Sequence, residues 1–306
     1  MPRRSYFFLI SFSALLALGF TSARANRHHH SVSISGGHRQ PATDCSDVRI
    51  RFDDQDAVVR SEERTVTKAE ATVLQVHPHS NGGVQVVGWG KDTYSVTACK
   101  AAAGSGDAAE RILSQISMNI EHGKVSTSGP GDEDAWTVEL LIRAPKSASI
   151  ELDTMNGPIS LYDVDGKLTA HAKNGPISLK NFSGDAEITA VNGPITLEGS
   201  NGNVRIHTEN GPISVALEGK TWSGTGLTAD AQNGPLTLMV PSGYQSSFVV
   251  ESTNYAPVSC KASICDNARK TWDDEHRRIE YGNAPATIRL STVNGPVSVQ
   301  ESREKL

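Results

Sequence analysis

The chain has 306 residues, of which 29 are lysine or arginine and 34 are aspartate or glutamate. This negative balance argues against a general nucleic-acid-binding protein, which needs a basic face to neutralise phosphates. Aromatic residues make up only 6% of the sequence and there are 27 glycines, a composition typical of many short strands and tight turns rather than of a helical protein.

The first residues have the pattern of an export signal. Two arginines open the sequence, an apolar run extends from Tyr6 to Phe20, and Ala23-Arg24-Ala25 is a small-x-small cleavage pattern. We therefore predict a signal peptide over 1–25 that directs export through the general secretory pathway or, alternatively, through the twin-arginine pathway. Cleavage would leave 26 basic and 34 acidic residues. No later apolar run is long enough to span a membrane, and we expect a periplasmic, cell-surface or extracellular location.

A polar segment over 26–44 follows. It includes His28, His29, His30 and His38. This composition next to a cleavage site predicts a disordered leader, with weak metal binding by the histidines as the alternative.

The sequence contains four cysteines, at Cys45, Cys99, Cys260 and Cys265. An even number of cysteines in an exported chain predicts disulfides. The short separation of Cys260 and Cys265 favours a bridge between them, which leaves Cys45 to pair with Cys99. A four-cysteine metal site is the alternative, but the spacing does not provide two close pairs of ligands.

Residues 45–145 alternate between apolar and polar side chains in several short stretches and predict a strand-rich part of the chain. One helix is expected, opening at Gly106-Asp107 with Asp107 as its N-cap. The helical face comprises Ala109, Ile112, Leu113 and Ile116. We expect this helix to cover an open end of the sheets, where unpaired strand edges would otherwise recruit other chains.

A repeated motif dominates residues 146–300. The chain reads Asn-Gly-Pro, then Ile, Leu or Val, then Ser or Thr, and the first three intervals between motifs are 18 residues. Apolar residues alternate in matching columns on both sides of each asparagine, as strands require. The sequence therefore predicts an all-β fold, a parallel β-solenoid (β-helix-like or β-roll-like) of about seven coils. The motif asparagines, counting one variant at Asn254, are Asn156, Asn174, Asn192, Asn210, Asn233, Asn254 and Asn294.

Two columns of the repeat allow both a structural and a functional interpretation. The asparagines predict a buried structural ladder at one corner of the stack, with a row of ligand-binding amides as the alternative. The hydroxyl column should point outward, either as a ligand face or as an ordinary solvated strand. Its members are Ser160, Ser178, Thr196, Ser214 and Thr237.

The segment 261–286 interrupts the repeat and is predicted to be a loop insertion. Its charged run begins at Trp272 and ends at Arg278. A solvated, salt-bridged segment and a binding loop are both consistent with this composition. The last residues, 301–306, are predicted to be a tail.

Motifs of known catalytic sites are absent from the sequence, including the nucleophile elbow, the zinc-binding helix, the phosphate loop and the dinucleotide fingerprint. We predict that the chain is not an enzyme and that it has no cofactor and no metal site. A polysaccharide-acting β-helix enzyme is the alternative, and it would need carboxylates that face each other across a bond. The residues that could assemble such a cluster are Asp132, Glu133, Asp134 and Asp273.

The Asn-Gly-Pro-Ile-Ser units, the signal peptide and the strand-rich lead-in resemble a bacterial family of exported domains of unknown function whose members are named as candidate adhesins. The resemblance covers roughly 45–300 and implies a β-solenoid in the envelope or outside the cell. We predict a non-enzymatic adhesin or envelope scaffold that binds a protein, a glycan or its own kind. An envelope assembly or stress-related partner is the other alternative, which an apolar patch near Val297 and Val299 would favour.

Overall fold

The structure is a computed structural model that describes residues 31–35, 40–131, 133–254, 256–273, 276–283, 285 and 287–302. Over these residues the fold is all-β, with one α-helix and two 3-10 turns, Cys45–Asp47 and Ser263–Asn267. The predicted signal peptide and the four histidines of the polar leader lie outside the described residues.

Ten strands and the helix precede the repeat region that begins at residue 146. They alternate apolar and polar residues, except where a strand is covered on both sides. They are β1 (Val32–Ser35), β2 (Arg49–Phe52), β3 (Gln55–Asp56), β4 (Val58–Thr67), β5 (Val73–His77), β6 (Val84–Trp89), β7 (Thr93–Ala102), α1 (Gly106–Leu113), β8 (Ser117–Glu121), β9 (Lys124–Ser128) and β10 (Trp136–Pro145).

Sixteen further strands follow, most of them in pairs that flank a motif asparagine. They are β11 (Ser149–Thr154), β12 (Ile159–Tyr162), β13 (Lys167–Ala172), β14 (Ile177–Lys180), β15 (Asp185–Asn192), β16 (Ile195–Gly199), β17 (Asn201–Asn210), β18 (Ile213–Leu217), β19 (Ser223–Asn233), β20 (Leu236–Val240), β21 (Phe248–Thr253), β22 (Val258–Cys260), β23 (Arg269–Trp272), β24 (His276–Tyr281), β25 (Ile288–Asn294) and β26 (Val297–Glu301).

Two large mixed sheets contain most of these strands. The eleven-stranded sheet has the order β22-β26-β20-β18-β16-β14-β12-β6-β10-β7-β4. The twelve-stranded sheet has the order β23-β24-β21-β25-β19-β17-β15-β13-β11-β5-β9-β8. In each unit, the strand before the asparagine therefore joins the twelve-stranded sheet and the strand after it joins the eleven-stranded sheet. A third sheet, β1-β2-β3, is small and antiparallel.

Matching columns of the sequence motif are register partners in the structure. Ile159 pairs with Ile177 and Ile177 pairs with Ile195, all in parallel strands. All three side chains are fully buried. Because alternate residues of a strand face opposite sides of a sheet, these rows enter a shared core while the residues between them face outward.

The spatial order of the last units differs from their order along the chain. Strand β25 lies between β19 and β21, and β26 lies between β20 and β22. The unit of Asn294 is thus inserted between the units of Asn233 and Asn254. The units of Asn254 and Asn294 carry the same apolar columns, so the strands of either unit could pair with β19 and β20. The connection through residues 261–286 returns the chain to the position between the units of Asn233 and Asn254.

The segment predicted as a loop insertion contains regular structure. It forms the 3-10 turn Ser263–Asn267 and the strands β23 and β24, and β24 extends the twelve-stranded sheet by antiparallel pairing with β21. Its charged residues form ion pairs along this edge: Arg269 with Glu280, and Arg278 with both Glu280 and Glu251. Arg269 lies on the edge strand β23, where charged side chains disfavour pairing with another chain.

Two other predictions differ from the structure. Part of the leader predicted as disordered forms β1, whose Val32 and Ile34 pack against a small apolar cluster with Ile50. The helix begins at Gly106, so Ser105 occupies the N-cap position and Asp107 lies in the first turn. There the carboxylate is placed favourably for the helix dipole but does not cap.

Both cysteine pairs that the spacing favours are disulfides. Cys45 and Cys99 have Cα atoms 5.4 Å apart, and those of Cys260 and Cys265 are 5.7 Å apart. The first bridge joins the 3-10 turn that leads into β2 to the outer side of β7, and the second closes the turn after β22. Two disulfides fit a protein that is exported to an oxidising compartment. Within the described residues, no helix has the length and apolarity that crossing a bilayer would need.

Candidate functional site

The outward face of the eleven-stranded sheet carries two regular rows of side chains, which we call the proline–hydroxyl face. Serines and threonines form one row, in which each hydroxyl residue is the register partner of the next. Prolines form the neighbouring row, and each proline carbonyl accepts a backbone N–H of the preceding strand in the stack. The rows comprise Pro158, Pro176, Pro194, Pro212, Pro235, Pro296 and Pro257, and Ser160, Ser178, Thr196, Ser214, Thr237, Ser298 and Ser259.

The two rows share a face because the residue between them points inward. Ile159, for example, separates Pro158 from Ser160 and is fully buried. The hydroxyl residues are half-buried, except Thr196, which is exposed. With neighbouring strands about 4.8 Å apart, seven strands give two uncharged rows about 30 Å long. The sequence interpretation took the prolines only as turn residues and therefore missed the second regular row.

The third outward position of this sheet is irregular. It carries Tyr162, Lys180 and Glu198 on successive strands. The Tyr162 ring is buried beneath the Lys180 ammonium, whose nitrogen lies 5.9 Å from the ring centroid. Burial raises the pKa of the Tyr162 hydroxyl above its ordinary value, partly offset by a hydrogen bond with Ser160. These side chains form a charged border beside the two neutral rows.

The outward face of the twelve-stranded sheet has a different character. One of its rows runs through Glu151, Thr169, Glu187 and Arg205, which are register partners and exposed. Acidic and basic groups alternate there with threonines, as on an ordinary solvated surface. The proline–hydroxyl face is therefore distinguished by its regularity and its lack of charge.

The motif asparagines form a continuous ladder of side-chain hydrogen bonds. The amide of Asn174 donates to the Oδ1 atom of Asn156 at 2.9 Å, and Asn192 donates to Asn174 at 3.0 Å. The same contact continues through Asn210, Asn233, Asn294 and Asn254. These asparagines are exposed to solvent, whereas the sequence interpretation placed them in the interior. The turn lies at a corner of the stack, so the amides are outside the apolar core.

The ladder also includes a residue that lies before the repeat. Asn156 donates to the Oδ1 atom of Asn81 at 3.0 Å, and Val84 is the register partner of Ile159. Residues 73–89 thus occupy the place of one further unit. The sequence indicates this further unit in part, because Asn81-Gly82 matches the start of the motif. Gly83 occupies the position at which the other units have proline. A Cβ atom at Gly83 would overlap Glu139 Oε2 and Pro158.

Replacing Asn192 by alanine should destabilise the chain by about 1–2 kcal/mol, since it removes one donated and one accepted hydrogen bond at an exposed site. Asn192→Asp should be at least as destabilising, because the carboxylate cannot donate to the Asn174 oxygen. Urea unfolding measures both variants, with Asn203→Ala, at a half-buried outward position of β17, as the matched control. Equal midpoints for Asn192→Ala and Asn203→Ala would mean that the ladder does not stabilise the fold.

The structure does not bring together the carboxylates that an enzymatic site would use. Asp134 accepts from Arg111 near the helix, at 3.2 Å, while Asp273 accepts from the backbone of His276 beside the edge strand β23. These two places belong to opposite ends of the strand stack, and Asp132 is outside the described residues. Among the described residues, no three His, Cys, Asp or Glu side chains are grouped as metal ligands.

The apolar patch considered at the last unit is also not found at its expected place. Val297 and Val299 are buried in the core, 1% and 0% exposed, because β26 is covered by β22 rather than standing at the edge of the sheet. The exposed large apolar side chains among the described residues are instead scattered singly, at Val73, Met155 and Trp272. Single exposed apolar residues are common on soluble proteins.

Comparison with known proteins finds no matching family model and no matching curated protein. Among solved structures, a candidate cell adhesion protein from Clostridium sporogenes is 12% identical, with 80% of this chain and 100% of that chain covered and a TM-score of 0.35. A candidate adhesin from Bacteroides fragilis is 11% identical, with coverages of 79% and 97% and a TM-score of 0.40. A candidate lipid-binding protein from Parabacteroides distasonis is 9% identical, with coverages of 80% and 97% and a TM-score of 0.27. At this level of likeness the three structures carry no functional argument.

Proposed function

We propose that this chain is an exported, non-enzymatic binding protein of the bacterial envelope or cell surface, with an adhesin-like role. Its repeats form a parallel β-solenoid of about seven coils that presents the proline–hydroxyl face to an extended ligand. The observation that carries this proposal is the pair of neutral rows, one of prolines and one of hydroxyls, aligned in register over seven strands. Parallel stacks offer such long, rigid surfaces because each unit repeats the chemistry of its neighbour.

A glycan fits this face better than a protein does. Serine and threonine hydroxyls both donate and accept hydrogen bonds, as sugar hydroxyls do, and the proline rings offer apolar contact to the C–H faces of sugars. Protein interfaces, in contrast, take most of their energy from buried tryptophan, tyrosine and arginine. The two rows contain none of these residues. A glycan chain lying along the stack would meet the same pair of groups on every strand.

Catalysis is left out of this function because the face lacks the chemistry for it. Glycoside hydrolysis needs two carboxyl groups that face each other across the bond. Along the outward rows of the eleven-stranded sheet in the repeats, Glu198 lies beside the cation Lys180 and an alanine, Ala216. The Glu198 carboxylate therefore has no second carboxylate on either neighbouring strand with which to form a catalytic pair.

The test is a glycan array probed with the purified chain, followed by titration of a glycan that binds. The double variant Ser178→Ala/Thr196→Val should weaken binding by about tenfold, as expected when two neutral hydrogen bonds are lost. The matched control is Thr169→Val/Thr228→Val, at exposed positions on the other large sheet. Absence of any glycan signal, together with specific capture of a protein through the same face, would overturn the glycan assignment.

A further inference from the structure

A polar groove lies on the outward face of the eleven-stranded sheet, beyond the end of the hydroxyl row. Its floor is formed by strands β4, β7, β10 and β6, and its wall by residues 42–46. The cavity has a volume of about 430 Å³, within the range of about 300–1,000 Å³ that small-molecule sites occupy. Its residues lie outside the repeat region in the sequence, and no motif of the sequence predicts it.

The wall of the groove is held in place by three independent contacts. The buried Gln85 side chain accepts from the N–H of Ala42 at 2.9 Å and donates to its carbonyl at 2.8 Å. Arg143 donates to the carbonyl of Thr43 at 3.3 Å. The disulfide joins Cys45 of the wall to Cys99 of the floor strand β7. The groove is therefore preformed, which lowers the ordering cost of binding.

The groove presents acceptors, donors and a small apolar surface. The Glu63 carboxylate accepts from the Ser95 hydroxyl at 2.6 Å and keeps further acceptor capacity. Arg143 is exposed and donates through one nitrogen to the carbonyl of Thr43, so its other N–H groups can bind a ligand. Ser61 and Thr97 add hydroxyls, and the half-buried Val87 adds apolar surface to the floor.

The balance of charge restricts the ligand class. Two carboxylates, those of Glu63 and Asp44, line the groove against the single guanidinium of Arg143. An inorganic anion would meet net repulsion, and a cation would lie near the guanidinium. A neutral polyol avoids both costs, because its hydroxyls donate to carboxylates and accept from arginine.

The groove is also continuous with the hydroxyl row. Gln85 is the register partner of Ser160, and Val87 is the register partner of Tyr162. Because the wall covers Gln85 at Ala42, a chain of sugars that lies along the row would reach the groove with its terminal unit past Val87, which is half-buried. This placement connects a walled groove for one unit to an open face for the others.

We propose that the groove binds one neutral sugar unit, the terminal residue of a glycan, through Glu63 and Arg143. Sugar hydroxyls donate to the Glu63 carboxylate and accept from the Arg143 guanidinium, while a C–H face of the ring lies on Val87. This inference rests on the proposed glycan-binding function and assigns the site that distinguishes one sugar from another.

The experiment is saturation-transfer NMR on the full chain, with methyl glycosides of glucose, galactose, mannose, N-acetylglucosamine and rhamnose as probes. We expect at least one of them to bind. Glu63→Gln and Arg143→Gln should each weaken it by about tenfold or more, because each removes a charge-assisted hydrogen bond. The matched controls are Glu187→Gln and Arg205→Gln, exposed residues of the same types on the other large sheet, and they should bind as the unaltered chain does.

Two results would overturn the groove assignment: none of the five probes binds, or the groove variants bind as well as the controls. The array measurement separates this failure from failure of the proposed function. Loss of glycan binding in Ser178→Ala/Thr196→Val with no change in Glu63→Gln would retain the proline–hydroxyl face and reject the groove. Loss only in Glu63→Gln and Arg143→Gln would support the groove and reject the face.

Discussion

Replacing Cys45 and Cys99 together by alanine should lower the free energy of unfolding by about 4 kcal/mol. The bridge closes a loop of 54 residues, and without it the unfolded chain gains the conformational entropy that this long loop restricts. The bridge also fixes the 3-10 turn that leads into β2 to the outer side of β7, where Ile50 and Phe52 pack with Leu141. We therefore expect the small sheet to become accessible to proteases before the large sheets unfold. Denaturant unfolding under non-oxidising and oxidising conditions, with limited proteolysis, measures both effects.

The matched control is the double replacement of Cys260 and Cys265 by alanine. Each bridge joins one buried and one half-buried cysteine, so the two variants lose similar side-chain contacts. The second bridge spans only five residues, and the same chain-entropy estimate gives about 2 kcal/mol. If the short bridge proved to stabilise the chain as much as the long one, loop closure would not be the source of the difference.

Much of the architecture follows from the sequence because its signal is local and repeated. The columns of Ile159, Ile177 and Ile195 recur with a constant spacing and are register partners in the structure. A one-residue shift would turn every one of these side chains from the core to solvent, so the pattern determines the pairing. The same reasoning identifies the outward hydroxyls, since they alternate with the buried residues.

The order of the last two units could not be derived in this way. Val258 and Val297 occupy the same apolar column and pair with each other. The apolar pattern therefore fits equally well whether the unit of Asn254 or the unit of Asn294 pairs with the unit of Asn233. The choice depends on the connection through residues 261–286, in which β24 pairs antiparallel with β21 and β23 pairs antiparallel with β24. No periodicity of the sequence predicts these pairings.

The candidate site was only partly accessible to sequence reasoning for a related reason. The hydroxyl row belongs to the repeat and could be identified. The groove brings Glu63, Gln85, Ser95 and Arg143 together from four strands, under a wall from residues 42–46. These residues are distant in sequence and do not repeat, so their proximity depends on tertiary packing alone.

Glu139 should make the stability of the chain depend strongly on pH, because its carboxyl group has little access to solvent. It lies on β10, is 5% exposed, and its Oε2 atom has no hydrogen-bond partner. Desolvation raises the pKa of Glu139 from 4.5 to about 8, opposed by a hydrogen bond from the N–H of Gly83. In the unfolded chain the group is in water and has its ordinary pKa.

The direction of the pH dependence follows from these two values. Below pH 4.5 the carboxyl is protonated in both states, and its contribution to stability is fully present. As the pH rises from 4.5 to about 8, the unfolded state releases the proton while the folded state keeps it, so stability falls. Each pH unit in this window lowers the free energy of unfolding by about 1.4 kcal/mol. Above this window the folded group is ionised as well, and the loss is complete.

Glu139→Gln should therefore stabilise the chain at neutral pH, by about 3 kcal/mol at pH 7. Glutamine keeps the size of the side chain and remains neutral at every pH, so the advantage should disappear near pH 4.5, where Glu139 itself is protonated in both states. The measurement is denaturant unfolding of both proteins at a series of pH values from 4 to 9. Glu187→Gln, at an exposed position of β15, is the control and should leave the pH profile unchanged. Parallel profiles for the native chain and Glu139→Gln across this range would show that the Glu139 carboxyl reaches water in the folded protein, and that the surroundings of Gly83 and Pro158 do not exclude it.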